Sequence, residues 1–139
     1  MKHFNFEEID VGYEVSFDYN ITNDKMQKFL EITGDINPLH NDLSYAKSKG
    51  YSEKVVYGML TSAILSTLAG VYLPGEKSLI HEVSVSFVKP VFISNCPLLV
   101  KGKVVKKDER FKQIEIKCSI FDNKDDKVLR GNMKIGFVD

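Results

Sequence analysis

The stretch Gly58-Met59-Leu60-Thr61-Ser62-Ala63-Ile64-Leu65-Ser66-Thr67-Leu68-Ala69-Gly70-Val71-Tyr72 decides the fold. At helical spacing, Met59, Leu60, Ala63, Ile64, Leu65, Leu68, Ala69 and Val71 cover most of its circumference. A helix that is apolar nearly all round is one that other elements bury. Pro74-Gly75 ends it. Beyond that stop the chain alternates with a period of two, as strands do. Val83, Val85 and Phe87 take turns with Glu82, Ser84 and Ser86. Leu98, Val100 and Val104, then Ile114, Ile116, Cys118 and Ile120, then Leu129, Met133, Ile135 and Phe137, repeat the pattern. The polar runs Lys107-Asp108-Glu109-Arg110 and Asp122-Asn123-Lys124-Asp125-Asp126 read as the turns between them.

Upstream, Tyr13, Val15, Phe17 and Tyr19 make another alternating strand. Met26, Phe29, Leu30 and Thr33 then recur at helical spacing, with Thr22 or Asn23 as the cap and Gly34 as the stop. Residues 35–41 read as an irregular turn, because Pro38 fixes its own φ and biases Asn37 towards extended backbone. Asp42 to Lys49 reads as a short helix ended by Gly50. A sheet with one apolar face needs a cover, and the all-round apolar helix is the natural one. The expected class is α+β, an antiparallel sheet wrapped round one central buried helix, in a single domain over residues 1–139.

Composition limits the partners. The 139 residues are 43% hydrophobic and 27% charged, with 19 Lys plus Arg against 19 Asp plus Glu. A net charge of zero argues against a nucleic-acid binder. Residues 59–73 are shorter than a membrane span and carry Thr61, Ser62, Ser66 and Thr67, so no membrane partner is expected. Cys96 and Cys118 stand far apart, outside any zinc or disulfide spacing. With no apolar signal core at the N-terminus, the expectation is a cytoplasmic protein with reduced thiols.

The chemistry-bearing segment is Gly34-Asp35-Ile36-Asn37-Pro38-Leu39-His40. A carboxylate and an imidazole brought together by a turn can share a water and act as an acid–base pair. By residue type alone, the favoured reading is the plainer one: Asp35 as a turn former bonding backbone N–H groups, and His40 as a surface residue. An EF-hand reading of Asp35, Asn37 and Asp42 fails, since Leu39, His40 and Ala46 stand where a ligand, a glycine and a glutamate are needed. Gly58 opens the buried helix, where the first N–H groups lack internal partners. It fits both an oxyanion hole and close packing of the helix start. Ser62 and Ser66 lie one turn apart and fit bonds to carbonyls a turn back. No Gly-x-Ser-x-Gly elbow surrounds them, so a serine hydrolase is not supported.

Together these residues resemble the MaoC-like dehydratases of the hot-dog fold superfamily, and within them the (R)-specific enoyl-CoA hydratases. The resemblance runs from about Phe29 to Phe92. It is carried by Gly34 to His40, then Asp42, Tyr45-Ala46 and Gly50-Tyr51, then Val56-Tyr57-Gly58-Met59-Leu60, Leu73-Pro74-Gly75, and Ser86-Phe87-Val88-Lys89-Pro90-Val91-Phe92. It implies a hot-dog fold and reversible hydration of a trans-2-enoyl thioester on CoA or acyl carrier protein, with no cofactor and no metal. Asp35 and His40 would hold the water, and the Gly58 N–H would hold the thioester oxygen. Asn37, Ser66 and Tyr57 would take supporting or substrate-binding places. The resemblance also implies a homodimer with each site near the subunit boundary. Tyr57 departs from the pattern, which usually has histidine before that glycine. Hot-dog chains also include acyl-CoA thioesterases and non-catalytic acyl-thioester-binding proteins, which are the alternative functions.

Overall fold

The computed structural model describes residues 1–139. Strand β1 is Glu14–Tyr19 and helix α1 is Asn23–Thr33. Two short helices come next, α2 at Pro38–Asn41 and α3 at Leu43–Ser48. The central helix α4 is Gly58–Thr67, and its last turn, Leu68–Tyr72, is wound as a π-helix. Strands β2 (Ser78–Phe87), β3 (Leu98–Asp108), β4 (Gln113–Phe121) and β5 (Lys127–Phe137) complete the chain. One antiparallel sheet results, in the order β1-β3-β4-β5-β2.

Alternation sets which side of each strand is covered. Val100 and Val104 of β3, Ile114, Ile116, Cys118 and Ile120 of β4, and Leu129, Met133 and Ile135 of β5 are all buried. The same core holds Ile64, Leu65, Leu68 and Ala69 of the central helix. The helix sits close because one row of the sheet is narrow. Gly102 pairs with Cys118, and Cys118 with Gly131, directly across β3, β4 and β5. A Cβ on Gly102 would stand 3.0 Å from Leu68 Cδ1, and one on Gly131 would stand 3.7 Å from Leu65 Cδ1. Leu68 fills the space that the missing side chain of Gly102 leaves.

The elements around the site obey local rules. Thr22 Oγ1 caps α1 by accepting from Lys25 N, and Gly34 closes it at φ 72°. That left-handed conformation is one glycine adopts without a Cβ penalty. Residues 38–41 are a helical turn, where the sequence reading expected irregular backbone. Pro38 takes the first position, where no N–H is needed, and Asn37 Oδ1 accepts from Leu39 N at 3.0 Å. Asp42 Oδ1 caps α3 by accepting from Tyr45 N. Strand β2 begins at Ser78, upstream of the alternation that marked it.

The central helix is buried on only part of its surface. Met59, 66% exposed, lies with Ala63 and Ser66 on an open stripe at helical spacing. Beside it, β2 is exposed along most of its length. Val83 pairs with the buried Met133, and Phe87 with the buried Leu129, so both point to the core face. They are nonetheless 46% and 52% exposed.

The seating of Leu68 against Gly102 is open to a direct check. Gly102→Val should lower the unfolding free energy by about 2 kcal/mol, the usual scale for overpacking a fitted core. Urea unfolding followed by circular dichroism measures it. A variant as stable as the parent would show that the helix does not rest there.

Candidate active site

The site gathers where the loop before α4 meets the turn after α1. Val56 N donates to Val91 O at 2.8 Å, which pins residues 55–58 to the loop after β2. Tyr57 then takes the cap position of α4 without a side-chain cap bond. No backbone carbonyl accepts the Gly58 N–H. That unpaired donor lies at the positive end of the helix. A Cβ on Gly58 would meet the Phe87 ring at 3.2 Å, so this glycine both exposes its N–H and lets Phe87 pack over the helix start.

His40 is half-buried, and its orientation is fixed from α2. Its Nδ1 lies 2.6 Å from the carbonyl oxygen of Val55. A carbonyl can only accept, so Nδ1 carries the hydrogen. In the neutral ring the lone pair is then on Nε2. One face of the imidazole stacks on Tyr57, with centroids 4.2 Å apart and planes at 30°. Asp35 is exposed. Its Oδ1 accepts from Asn37 N at 3.1 Å, and no hydrogen bond joins its carboxylate to His40.

Tyr57 is 2% exposed. Its hydroxyl donates to the Asp35 carbonyl oxygen at 2.7 Å and accepts from Asn41 Nδ2 at 2.9 Å. Asn41 Nδ2 also donates to Asn37 O at 3.0 Å.

A cavity of about 340 Å³ opens beside His40 and Gly58. Its walls include Leu39, Val55, Val56, Phe87, Val91 and Val128, so the surface offered is largely apolar. Asp35, Asn37, Tyr57 and Ser66 do not line it. Thr61 does, and its buried Oγ1 has no hydrogen-bond partner. Lys89, at the wall, is held by Asp126 at 2.8 Å and Asp122 at 3.0 Å, and these partners raise its pKa above the ordinary lysine value. A larger hollow of about 490 Å³ lies on the outer face of the sheet, among Glu14, Lys101, Lys103 and Lys117. Polar and charged residues make up most of its lining, and none of the site groups above borders it.

The structure thus brings Asp35, Asn37, His40, Tyr57 and Gly58 together through shared bonds and contacts. Ser66 stands two turns along α4 on its open stripe, with no hydrogen bond. Ser62 Oγ does bond one turn back, to Met59 O at 2.9 Å. Sequence reasoning missed Asn41, Thr61 and the Val55 carbonyl. Asn41, within reach of the same short turn, carried the only available signal.

The five-stranded antiparallel sheet packed on one central helix defines a hot-dog chain. The profile described as "MaoC like domain" matches residues 5–122, and the chain belongs to that family. It is 30% identical over 89 residues to the (R)-specific enoyl-CoA hydratase of Aeromonas caviae, over 64% of this chain and 66% of that one. It is 28% identical over 119 residues to the 3-hydroxybutyryl-CoA dehydratase of Methylorubrum extorquens, over 84% of this chain and 75% of that one. The solved (R)-hydratase of A. caviae superposes with a TM-score of 0.88 at 24% identity, over 95% of this chain and 99% of that one. An R-hydratase from Pseudomonas aeruginosa gives 0.85 at 24% identity, over 96% and 84%. The hot-dog architecture and the hydratase/dehydratase class expected from the sequence both hold.

The bond to Val55 fixes one tautomer. Long-range ¹H–¹⁵N spectra of ¹⁵N-histidine protein should show the neutral His40 ring protonated at Nδ1 alone. A pattern with the hydrogen on Nε2 would contradict the geometry.

Proposed function

We propose that this chain adds water reversibly across the double bond of a trans-2-enoyl thioester, giving an (R)-3-hydroxyacyl thioester. One observation carries the reading. His40 is locked through Nδ1 to Val55 and borders, with the unpaired Gly58 N–H, an apolar cavity. The named activities of the A. caviae and M. extorquens relatives agree with it.

The steps arise from those groups. A water is held between the Asp35 carboxylate and His40 Nε2. Its oxygen attacks C3 while the pair takes one of its protons. The electrons of the double bond move onto the thioester oxygen, where the Gly58 N–H and the helix dipole stabilise the negative charge. Collapse of that enolate takes a proton at C2, delivered from the imidazole. The hydroxyl ends on C3 and the hydrogen on C2, so the pair returns to its starting state. Asn37 holds the turn by capping Leu39 and by donating its N–H to Asp35. The acyl chain lies in the cavity against Phe87, Val91 and Val128.

We also read the molecule as a homodimer, with residues 1–139 as one domain in each copy. The open stripe Met59-Ala63-Ser66 and the uncovered core-facing side chains of β2 suit a second copy. An edge strand with free backbone groups is a template for pairing. The free thiols Cys96 and Cys118 suit the reducing cytoplasm as its place of work.

Two measurements check this. Loss of the enoyl-thioester ultraviolet absorbance should follow addition of the protein. Asp35→Asn and His40→Gln should each lower kcat by about 10²- to 10⁴-fold, the range of general acid–base assistance. Wild-type rates in both variants would sink the assignment. Sedimentation velocity should give twice the 15.8 kDa chain mass. Val83→Asp should shift it to the monomer, and a wild-type monomer would end the dimer reading.

A further inference from the structure

We infer that Tyr57 is a positioning residue for the reaction, acting with Asn41 to hold the Asp35 backbone and the His40 ring in one fixed relation. The inference rests on Asp35 and His40 as the reacting pair. It concerns what keeps them in place.

Tyr57 touches both members of the pair by different means. Its hydroxyl donates to the Asp35 carbonyl at 2.7 Å, while its ring lies against the His40 imidazole at 4.2 Å. The phenol ring also packs on Phe29 of α1, with centroids 4.7 Å apart and planes at 45°. The ring is therefore held against both α1 and α2. A buried aromatic that is packed on two rings and hydrogen-bonded at its tip has little freedom to tilt.

The hydroxyl is also half of a bridge. It accepts from Asn41 Nδ2 at 2.9 Å, and the same nitrogen donates to Asn37 O at 3.0 Å. Asn41 thus ties the end of α2 to its start, and Tyr57 ties both to Asp35. Without the hydroxyl, the Asp35 carbonyl and the Asn41 amide each lose a partner. The Val55 backbone ties Leu39 and His40 to the loop before α4, and the Tyr57 hydroxyl is the bond that ties Asp35 to it.

Position adds a third link. Tyr57 is bonded covalently to Gly58, and its own carbonyl accepts from Leu60 N and Thr61 N in the first turn of α4. One residue therefore spans the carboxylate-bearing backbone, the imidazole and the start of the helix that offers the N–H. Histidine at this place could stack on His40. Its shorter side chain would not reach the Asp35 carbonyl without movement of the turn. The departure from the usual residue is accordingly matched by a bond that only the longer phenol makes here.

A brace of this kind sets orientation and leaves substrate affinity alone. Misplacement of a reacting group by about 1 Å is enough to cost on the order of a hundredfold in rate. Tyr57 does not line the cavity, so its loss should not change binding directly.

The experiment compares Tyr57→Phe, Asn41→Ala and their double variant with Asp35→Asn and His40→Gln in one enoyl-thioester hydration assay. The Phe variant keeps the ring stack and removes only the hydroxyl. We expect kcat to fall at least tenfold in each single variant, with KM within about twofold. The double variant should be no slower than the worse single one, because both break the same bridge. Tyr57→His should be no faster than Tyr57→Phe. A wild-type kcat in Tyr57→Phe, with Asp35→Asn and His40→Gln inactive, would overturn the brace and leave the pair standing. A raised KM at unchanged kcat would overturn it too, by showing a substrate contact. Active Asp35→Asn and His40→Gln would instead remove the pair itself, whatever Tyr57→Phe does. If Tyr57→Phe does not fold, Asn41→Ala carries the same test from the other end of the bridge. Full additivity of independent losses in the double variant would count against a shared bridge.

Discussion

The depth at which the central helix sits on the sheet is the constraint that the site inherits. Leu68 can approach β3 only because Gly102 has no side chain, and Cys118 and Gly131 continue the narrow row across β4 and β5. Packed interiors move little, so this contact fixes the height of α4 above the sheet. It fixes the height of the first turn as well. Gly58 comes to lie under Phe87 of β2, with its N–H bare, and Tyr57 comes to lie against both His40 and Phe29. A helix raised by one side chain at residue 102 would carry all of these with it.

Four consecutive residues then do separate work. The Val55 carbonyl orients the imidazole, and the Val56 N–H anchors the segment to Val91. Tyr57 reaches back to Asp35 and Asn41, and Gly58 supplies the free donor. The segment is extended before the helix begins, so successive groups point in different directions. Regular helix could not present them so, because its carbonyls and amides would be bonded to one another. The proposed chemistry would sit at the junction between an extended run and a helix, where backbone groups are still available.

The order of elements was legible because burial imposes periodicity. Ile114, Ile116, Cys118 and Ile120 alternate because one face of β4 meets the core, and the residues of α4 show the breadth of apolar surface that a central helix needs. The Asp35–His40 segment was legible as a candidate because its residue types are those of acid–base chemistry in a turn. The helical turn at Pro38–Asn41 was not, since four residues are too few to display a 3.6 period. The Val55 carbonyl carried no signal at all, because a backbone oxygen has the same identity at every residue. Tyr57 was conspicuous as a departure. What its hydroxyl bonds depends on how α1, α2 and α4 pack together, which no local pattern encodes. Met59 and Ala63 show the opposite error: their apolar character read as burial within the chain, whereas this chain leaves them open.

That open face and the cavity are not independent features. Phe87 stands on both: it projects from the uncovered side of β2, packs over Gly58, and forms part of the cavity wall. The exposed half of the Phe87 ring leaves the cavity beside it open to water. The proposed hydration would use one chosen water and be poorly served by bulk solvent, since a low-dielectric surrounding would strengthen a bond from the Gly58 N–H to a developing enolate. Covering β2 with a second copy would bury Val83 and the outer side of Phe87 together. The same contact that hides apolar surface would dry the site. Ser66, on the open stripe two turns beyond Gly58, would then face the boundary between copies. Dimer formation and catalytic competence would on this account be a single event, with Phe87 as the side chain that joins them.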